Sequence, residues 1–398
     1  MIAKQQAFFV AASIQILVFA CAGAPISLFN VYRAQDGLSH SDLGWVSLSY
    51  FIAAALALLV FGRLSNHLGR KPMAGAALLC VLLSCVTMIA MQNSLALLFA
   101  RALQGFACGV AASSVGAYVT DLGSYRRKSW VALITSCAPM IGIPLGAVSS
   151  ALLVNYAPAP KLLIYTLIAT VAVMLLGLLL QCEETVQRKG NVCSALKPDF
   201  YMPKAALRPF ATLSAVVVAT WSIGGFYQAF GPEIVATALG SDNALISALA
   251  FSSVMVLTPL GGALAGRFVA QRAIGVAMLI LVTALMVIAC ALYFGWLEVF
   301  LAASLSVGIA QGVASSAGMS VLIADISREH RAGMLASVYM VSYLGAVLPA
   351  LIASIAANYV GVFTLFCGYA VLAGIAALIA LLSSTLHSVN RAEPSKPT

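Results

Sequence analysis

The sequence predicts an all-α integral membrane protein, with about twelve transmembrane helices in two pseudo-symmetric bundles of six. The first observation is composition: of 398 residues, 62% are hydrophobic and 8% are charged, and the mean hydropathy is +1.02. Such a chain has too little polar surface to cover a soluble globule. The second observation is that the apolar residues fall into runs of about twenty, the length that crosses a bilayer. The third is that the basic residues gather in alternate connections between these runs.

The predicted spans, taken in order, lie near residues 8–31, 43–62, 73–91, 95–119, 129–154, 161–181, 209–239, 244–265, 273–294, 299–323, 333–357 and 362–385. With the N-terminus in the cytoplasm, nearly all of the 21 Lys and Arg residues fall on the cytoplasmic side. Arg33 and Lys161 fall outside, and Arg101 falls within a span. We therefore expect a multi-pass protein of the bacterial inner membrane with both termini in the cytoplasm.

One long polar stretch, residues 183–208, divides the spans into two sets and predicts a cytoplasmic linker. The predicted domains are an N-terminal bundle over 1–182 and a C-terminal bundle over 209–386, followed by a cytoplasmic tail over 387–398. The first thirty residues also resemble a secretory signal, but their removal would invert the side assigned to every later connection.

Several classes of function are disfavoured. Basic loops beside anionic lipid headgroups account for the net charge of +9, so no nucleic-acid partner is expected. The nine cysteines show no CxxC spacing and the four histidines are scattered, so no metal site or cofactor is predicted. HExxH, a nucleophile elbow and a phosphate loop are missing from the sequence, which argues against an enzyme.

Two motifs recur in the two halves of the chain. The connection between the second and third spans reads Gly-Arg-Leu-Ser-Asn-His-Leu-Gly-Arg-Lys over residues 62–71, and a weaker copy begins at Gly262, about two hundred residues later. An Asp and an Arg, six positions apart, follow the fourth span as Asp121 and Arg127 and the tenth span as Asp325 and Arg331. Two related halves are therefore predicted.

The first motif resembles the signature Gly-x-Leu-x-Asp-Arg-x-Gly-Arg-Lys of the major facilitator superfamily, and the resemblance covers essentially the whole chain. It implies the twelve-helix major facilitator fold and a cytoplasmic gate formed by Gly62, Asn66, Gly69, Arg70, Lys71, Asp121, Arg127, Asp325 and Arg331. In the family, the acidic residue of the motif helps to hold the cytoplasmic side closed. Asn66 stands at that position here, so a weaker gate is one alternative. The other alternative is that these residues are simply solvated charges in basic connectors.

Arg101 lies in Leu97-x-x-x-Arg101-x-x-Gln104-Gly105, which resembles the second family motif and implies a role in proton coupling. A guanidinium at this depth must face protein or water, and its depth matches that of Ser27 and Asn30, the predicted partners. The alternative is an arginine that extends to the nearer membrane interface.

The fifth span carries Pro139, Gly142, Pro144 and Gly146, which resemble the family's antiporter signature and favour export over uptake. The predicted substrate cavity combines aromatic and hydrogen-bonding groups from the first and seventh spans: Gln15, Ser27, Trp221, Tyr227, Gln228 and Phe230. Glu233 is the predicted proton carrier because it is the carboxylate best placed within a span. Its alternative position is the periplasmic surface.

These residues predict a secondary active transporter that works by alternating access and exports a small amphipathic or drug-like compound in exchange for protons. The expected partners are that small-molecule substrate, the proton and the lipid bilayer, and the expected state is a monomer. Uptake or exchange of a small metabolite and translocation of a lipid are the alternatives.

Overall fold

The computed structural model describes residues 3–91, 93–124, 126, 128–186, 203, 206–324, 326 and 330–392. In this part of the chain, twelve helical segments are long and apolar enough to cross a membrane, and no β-strand occurs. The segments are α1 (Lys4–Asp36), α2 (Ser41–Phe61), α3 (Arg70–Ile89), α4 (Ser94–Leu122), α5 (Ile134–Tyr156), α6 (Pro160–Leu180), α7 (Leu207–Thr237), α8 (Ala244–Ala265), α9 (Ala270–Phe294), α10 (Leu297–Ala324), α11 (Gly333–Ala356) and α12 (Val362–Leu382). The predicted all-α, twelve-span fold is therefore confirmed.

Two of the spans contain local irregularities that redirect side chains. In α1, a regular helix ends at Gly23, and a 3₁₀ turn over Ile26–Leu28 precedes a second helical piece, Phe29–Asp36. In α4, residues Ala111–Val115 form a π-helical turn. Such turns change the direction in which the following side chains point, which matters for the polar groups described below.

Contacts divide the chain into two compact units. The first contains the described parts of Met1–Pro198, together with Gln228–Ala236 and Ser241–Ser252. The second contains the described parts of Asp199–Tyr227, Thr237–Gly240 and Ser253–Thr398. The predicted bundle boundaries and the linker over 183–208 stay a prediction.

The same helix pairings occur in both halves of the chain. In the first unit, α2 packs along α4, and α3 contacts α4 and α6. In the second unit, α8 packs along α10, and α9 contacts α10 and α12. Each pairing thus recurs six helices later, as two related halves require.

Glycines bring the paired helices close together in both units. Gly105 and Gly109 of α4 face α2, and a Cβ atom at Gly105 would overlap the carbonyl oxygen of Tyr50. Gly308 and Gly312 of α10 face α8 in the same way. Small residues spaced four apart let two helix backbones approach within van der Waals contact, which stabilises helix pairs in a bilayer.

Candidate functional site

Arg101 lies on α4 with its side chain fully buried in the first unit. Its Nη1 donates hydrogen bonds to the carbonyl oxygen of Ala22, at 2.7 Å, and to Gln104 Oε1, at 2.9 Å. The guanidinium carbon also lies 4.6 Å from the centroid of the Tyr50 ring. These three partners are uncharged, so dipoles and an aromatic face stabilise the positive charge. Neither Nε nor Nη2 of Arg101 makes a hydrogen bond within the described residues.

Further polar side chains surround this arginine. The Gln104 amide donates to Cys21 Sγ at 3.6 Å, which fixes Gln104 between α1 and Arg101. Nearer the end of α1, the hydroxyl oxygens of Tyr32 and Tyr165 are 2.8 Å apart, and both tyrosines are buried. These contacts join α1 to α4 and to α6, so Arg101 belongs to a polar cluster inside the first unit.

The predicted partners of Arg101 were wrong. Ser27 Oγ donates to the carbonyl oxygen of Ala147 at 2.8 Å, and Asn30 Nδ2 donates to that of Pro232 at 3.2 Å. Depth in the membrane matched Arg101 to these residues, but depth does not fix the direction of a side chain around the helix axis. The 3₁₀ turn over Ile26–Leu28 lies between Ala22, which does contact Arg101, and Asn30.

Glycines of the antiporter-like motif lie at the contact between α5 and α1. A Cβ at Gly142 would come within 2.6 Å of Phe19 Cβ, and one at Gly146 would overlap the carbonyl oxygen of Ala20. Pro139 and Pro144 lie inside the same helix. Their missing N–H groups free two backbone carbonyls of the preceding turn.

Two predicted cavity residues of α1 bond to α5. The Gln15 amide donates to the carbonyl oxygen of Thr135 at 3.4 Å, and Ser27 donates to that of Ala147. Both side chains are buried in the first unit. Their role in a substrate cavity stays a prediction.

The connection between α2 and α3 carries the predicted gate residues Gly62, Asn66, Gly69, Arg70 and Lys71. A short helix, Ser65–Leu68, precedes Gly69, whose φ of 107° lies in the region that only glycine adopts readily. Arg70 Nε lies 3.2 Å from Asp121 Oδ2 at the end of α4, and Arg70 Nη1 also bonds to Ser65 Oγ.

Other members of the predicted gate are placed differently. Asn66 is exposed, and its side chain makes no hydrogen bond with the described residues. Lys71 Nζ donates to the carbonyl oxygens of Leu180 and Cys182, at 2.7 and 3.0 Å. Arg127 and Asp325 lie outside the described residues, as does the side chain of Arg331.

The predicted cavity residues Trp221 and Tyr227 lie in the second unit. The Tyr227 hydroxyl oxygen is 2.7 Å from Ser304 Oγ, and Ser304 donates to the Phe300 carbonyl oxygen at 2.8 Å. Since a serine hydroxyl carries one hydrogen, Tyr227 donates to Ser304. The Trp221 ring packs edge-on against Tyr343, with the centroids 5.0 Å apart.

The remaining α7 residues of the prediction belong to the first unit by their contacts. Gln228 and Phe230 are buried, and the Glu233 side chain retains 8% of its exposure. Pro232 has no N–H to donate to the carbonyl of Gln228, so α7 lacks one backbone hydrogen bond at this point. Glu233 is thus a largely buried carboxylate, and its role as a proton carrier stays a prediction.

Several polar contacts were not predicted from the sequence. Glu184 and Thr185, directly after α6, bond to the start of α3 and to Asp121. Ser304 pairs with Tyr227, and Tyr50 covers Arg101. The sequence feature that could have pointed to Glu184 is the acidic pair Glu183 and Glu184, which follows an apolar span.

Residues 9–198 match the sequence model of the Major Facilitator Superfamily. The chain is also similar to two proteins called Multidrug resistance protein MdtM. One, from Salmonella typhimurium strain LT2, is 32% identical over 175 residues, which are 42% of this chain and 40% of that protein. The other, from Escherichia coli O157:H7, is 31% identical over 189 residues, 46% of this chain and 42% of that protein. The chain therefore spans less than half the length of these relatives.

The fold is similar to that of solved transporters over nearly the whole chain. The crystal structure of a bacterial homolog to the human lysosomal transporter Spinster, inward-facing and unoccupied, has a TM-score of 0.75 at 14% identity, with 98% of this chain and 99% of that chain covered. The occupied form has a TM-score of 0.69 at the same identity and coverage. The helix pairings and the fold, with the sequence match over residues 9–198, make the chain a multi-pass α-helical membrane protein that resembles the major facilitator superfamily and, within it, the drug/proton antiporter group.

Proposed function

We propose that this chain is a secondary active exporter, which moves a small amphipathic or drug-like compound out across the bacterial plasma membrane in exchange for protons. Both termini would lie in the cytoplasm. The observation that carries the proposal is Arg101, fully buried and bonded to neutral groups. The similarity of the first half to multidrug resistance proteins supports a drug-like substrate.

A buried cation that pairs with no carboxylate among the described residues supports coupling for an electrostatic reason. Arg101 cannot release a proton itself, because a guanidinium stays charged in proteins. Its field lowers the proton affinity of nearby groups and disfavours a second cation in the same low-dielectric region. A carboxylate in this region would then be occupied by either a proton or a cationic compound, which is the condition for exchange.

Glu233 is the proposed proton carrier. Among the described spans, it is the carboxylate that does not lie at a span end, since Asp36, Asp42, Asp121 and Glu298 each lie within two residues of one. Its 8% exposure leaves a narrow route for a proton to reach it. A carboxylate that binds and releases one proton per cycle can drive exchange without a cofactor.

The direction of transport rests on the antiporter-like motif in α5. Gly142 and Gly146 place α5 in close contact with α1, where Gln15 and Ser27 also bond to it. The group that this motif resembles exports its substrates, and the same direction is proposed here.

The test is a measurement of proton flux in proteoliposomes loaded with a pH-sensitive dye, across a panel of cationic dyes, antibiotics, metabolites and labelled lipids. Glu233→Gln should abolish substrate-driven proton movement while substrate still binds, and Arg101→Ala should abolish it as well. Glu298→Gln is the matched control, because Glu298 is an exposed carboxylate at the start of α10.

Undiminished proton flux in Glu233→Gln would show that another group carries the proton. Counterflow without proton movement, seen in the unaltered protein, would support metabolite exchange instead of export. Movement of labelled lipid alone would favour a lipid translocator.

A further inference from the structure

The segment that follows α6, residues 181–186, is tied to the rest of the first unit at several points. Lys71 Nζ donates hydrogen bonds to the carbonyl oxygens of Leu180 and Cys182. The Tyr118 hydroxyl donates to the Glu183 carbonyl oxygen at 2.5 Å. Among the described residues, the Glu183 side chain makes an exposed ion pair with Lys4, at 3.5 Å, and no other contact of this kind. This segment is therefore fixed mainly through its backbone, which positions the next residue, Glu184.

Glu184 caps the start of α3. Its Oε1 accepts from the backbone N–H of Arg70 at 2.9 Å, and its Oε2 accepts from that of Lys71 at 3.1 Å. The first N–H groups of a helix have no partner within the helix and attract negative charge. Gly69, the residue before the helix, has no side chain that could supply this cap. The cap therefore comes from a residue more than a hundred positions away in the sequence.

Gly69 fits this arrangement in two ways. Its φ of 107° is costly for any other residue, and a Cβ atom there would overlap the Glu184 carboxylate. Gly69 thus leaves room for an acidic side chain that residues 62–71 of this chain do not themselves contain.

The next residue of this segment, Thr185, contacts Asp121, the carboxylate that binds the Arg70 side chain. Thr185 Oγ1 donates to Asp121 Oδ2 at 3.0 Å, and Arg70 Nε binds that oxygen at 3.2 Å. Glu184 holds the backbone of Arg70 while Asp121 holds its side chain. With Lys71, the cluster contains two acidic and two basic side chains, so its charge is balanced.

We propose that Glu184 is the acidic member of the gate at the α2–α3 connection of this chain, and that it replaces the carboxylate that Asn66 lacks. It is a positioning residue, because it sets the start of α3 so that Arg70 meets Asp121. The inference rests on the proposed function, in which this connection stabilises one state of the transport cycle. Asn66 is exposed and takes no part in the cluster.

The test compares Glu184→Gln with Glu183→Gln, which makes the same chemical change one residue earlier in a side chain outside the cluster. We expect Glu184→Gln to lower the rate of substrate transport about fivefold, which is the factor by which a stability loss of the usual size for a missing helix cap shifts an equilibrium between two states. Glu183→Gln should change the rate less than about twofold. Thermal unfolding in detergent identifies any variant that fails to fold. Glu184→Asp, which keeps the charge, should retain more transport than Glu184→Gln.

A second variant tests the replacement itself. If Glu184 and the family's acidic residue serve the same purpose, Asn66→Asp should restore transport to Glu184→Gln while leaving the unaltered chain nearly unchanged. Absence of this rescue would overturn the claim that Glu184 replaces the missing acid.

The native Cys182 gives a readout that does not depend on transport. Its thiol is 2% exposed, and burial raises its pKa, while contacts with Tyr118 and Lys71 act in the opposite direction with smaller effect. Displacement of the start of α3 in Glu184→Gln should move Lys71 away from the Cys182 carbonyl oxygen. Alkylation of Cys182, measured by peptide mass spectrometry, should then be about fivefold faster than in Glu183→Gln. Equal alkylation and equal transport in the two variants would overturn the inference. Faster alkylation in a protein that moves no protons would instead overturn only the proposed function.

Discussion

Arg101 keeps a positive charge inside the first unit because neutral groups replace part of its hydration. Placing an arginine at the centre of a membrane helix costs about 2.5–3.5 kcal/mol on insertion scales. Two hydrogen bonds and the Tyr50 ring offset part of this cost, and Nε and Nη2 remain without partners among the described residues. The side chain is thus retained at a cost in stability, which is typical of a residue with a functional role.

Because the partners of Arg101 among the described residues are all neutral, its charge leads to a prediction for Gln104→Glu. A carboxylate at this position, where the amide oxygen now lies 2.9 Å from Arg101 Nη1, would neutralise the guanidinium. A hydrogen bond to a charged group contributes about 1.5–3 kcal/mol, and the control Gln104→Met forms none to Arg101, so we expect Gln104→Glu to melt no lower than Gln104→Met. Proton-coupled transport should nevertheless be lost in Gln104→Glu. Proton-coupled transport by Gln104→Glu at the rate of the unaltered chain would contradict a role for the positive charge of Arg101.

A second prediction at the residue scale concerns Gly69→Ala. An alanine at a φ of 107° costs on the order of 1–3 kcal/mol, and its Cβ would also overlap the Glu184 carboxylate. The free energy of unfolding, measured with Gly69→Ala, Glu184→Ala and the double variant, separates these two costs. We expect the double variant to lose less stability than the sum of the single variants, because Glu184→Ala removes the overlap. Strictly additive losses in the free energy of unfolding would indicate that Gly69 is needed only for its positive φ angle.

At the scale of helices, the contact between α1 and α5 depends on backbone proximity. The Gly146 Cα faces the carbonyl of Ala20, which is backbone and cannot swing away. Gly146→Ala should therefore push the helices apart and lower stability by about 1–3 kcal/mol, the usual cost of overpacking. Gly177→Ala is the matched control, since a Cβ at this glycine of α6 would meet nothing within 4 Å. Alanine there should be neutral or stabilise by up to about 1 kcal/mol, through helix propensity. Equal melting temperatures for the two variants would contradict the close contact.

Helices could be predicted from the sequence far better than their side-chain contacts. The length of an apolar run sets a span directly, because the bilayer has a fixed thickness, and all twelve predicted spans are present. The partner of Arg101 depends on rotation around α1, which a 3₁₀ turn changes, so depth alone pointed to Ser27 and Asn30. Glu184 caps a helix that begins 114 residues earlier in the chain, and no local pattern marks such a contact.

For the whole molecule, the two halves share a packing scheme but differ in their polar groups. The α2–α4 and α8–α10 pairs both use glycines, so the scaffold is repeated. The buried polar contacts differ: α4 supplies Arg101 to α1, whereas α10 supplies Ser304 to Tyr227 of α7. At these contacts the first half buries a charge, whereas the second half buries neutral hydroxyl groups.

The orientation of the whole chain follows from its charge distribution and can be tested directly. Lys and Arg residues collect in the connection between α2 and α3. The basic residue nearest the connection between α5 and α6 is Lys161, in the first turn of α6, which is paired with Asp36 at 2.8 Å. The positive-inside rule therefore predicts that Asn66 faces the cytoplasm and Tyr156 the opposite side. Both side chains are exposed, so Asn66→Cys and Tyr156→Cys can each be labelled, with the unaltered chain as the background. A membrane-impermeant maleimide added to intact cells should label Tyr156→Cys at once and Asn66→Cys only after permeabilisation. The reverse labelling pattern would mean that the chain is inverted in the membrane. The proposed export would then be uptake, and the Glu184 gate would lie at the outer face.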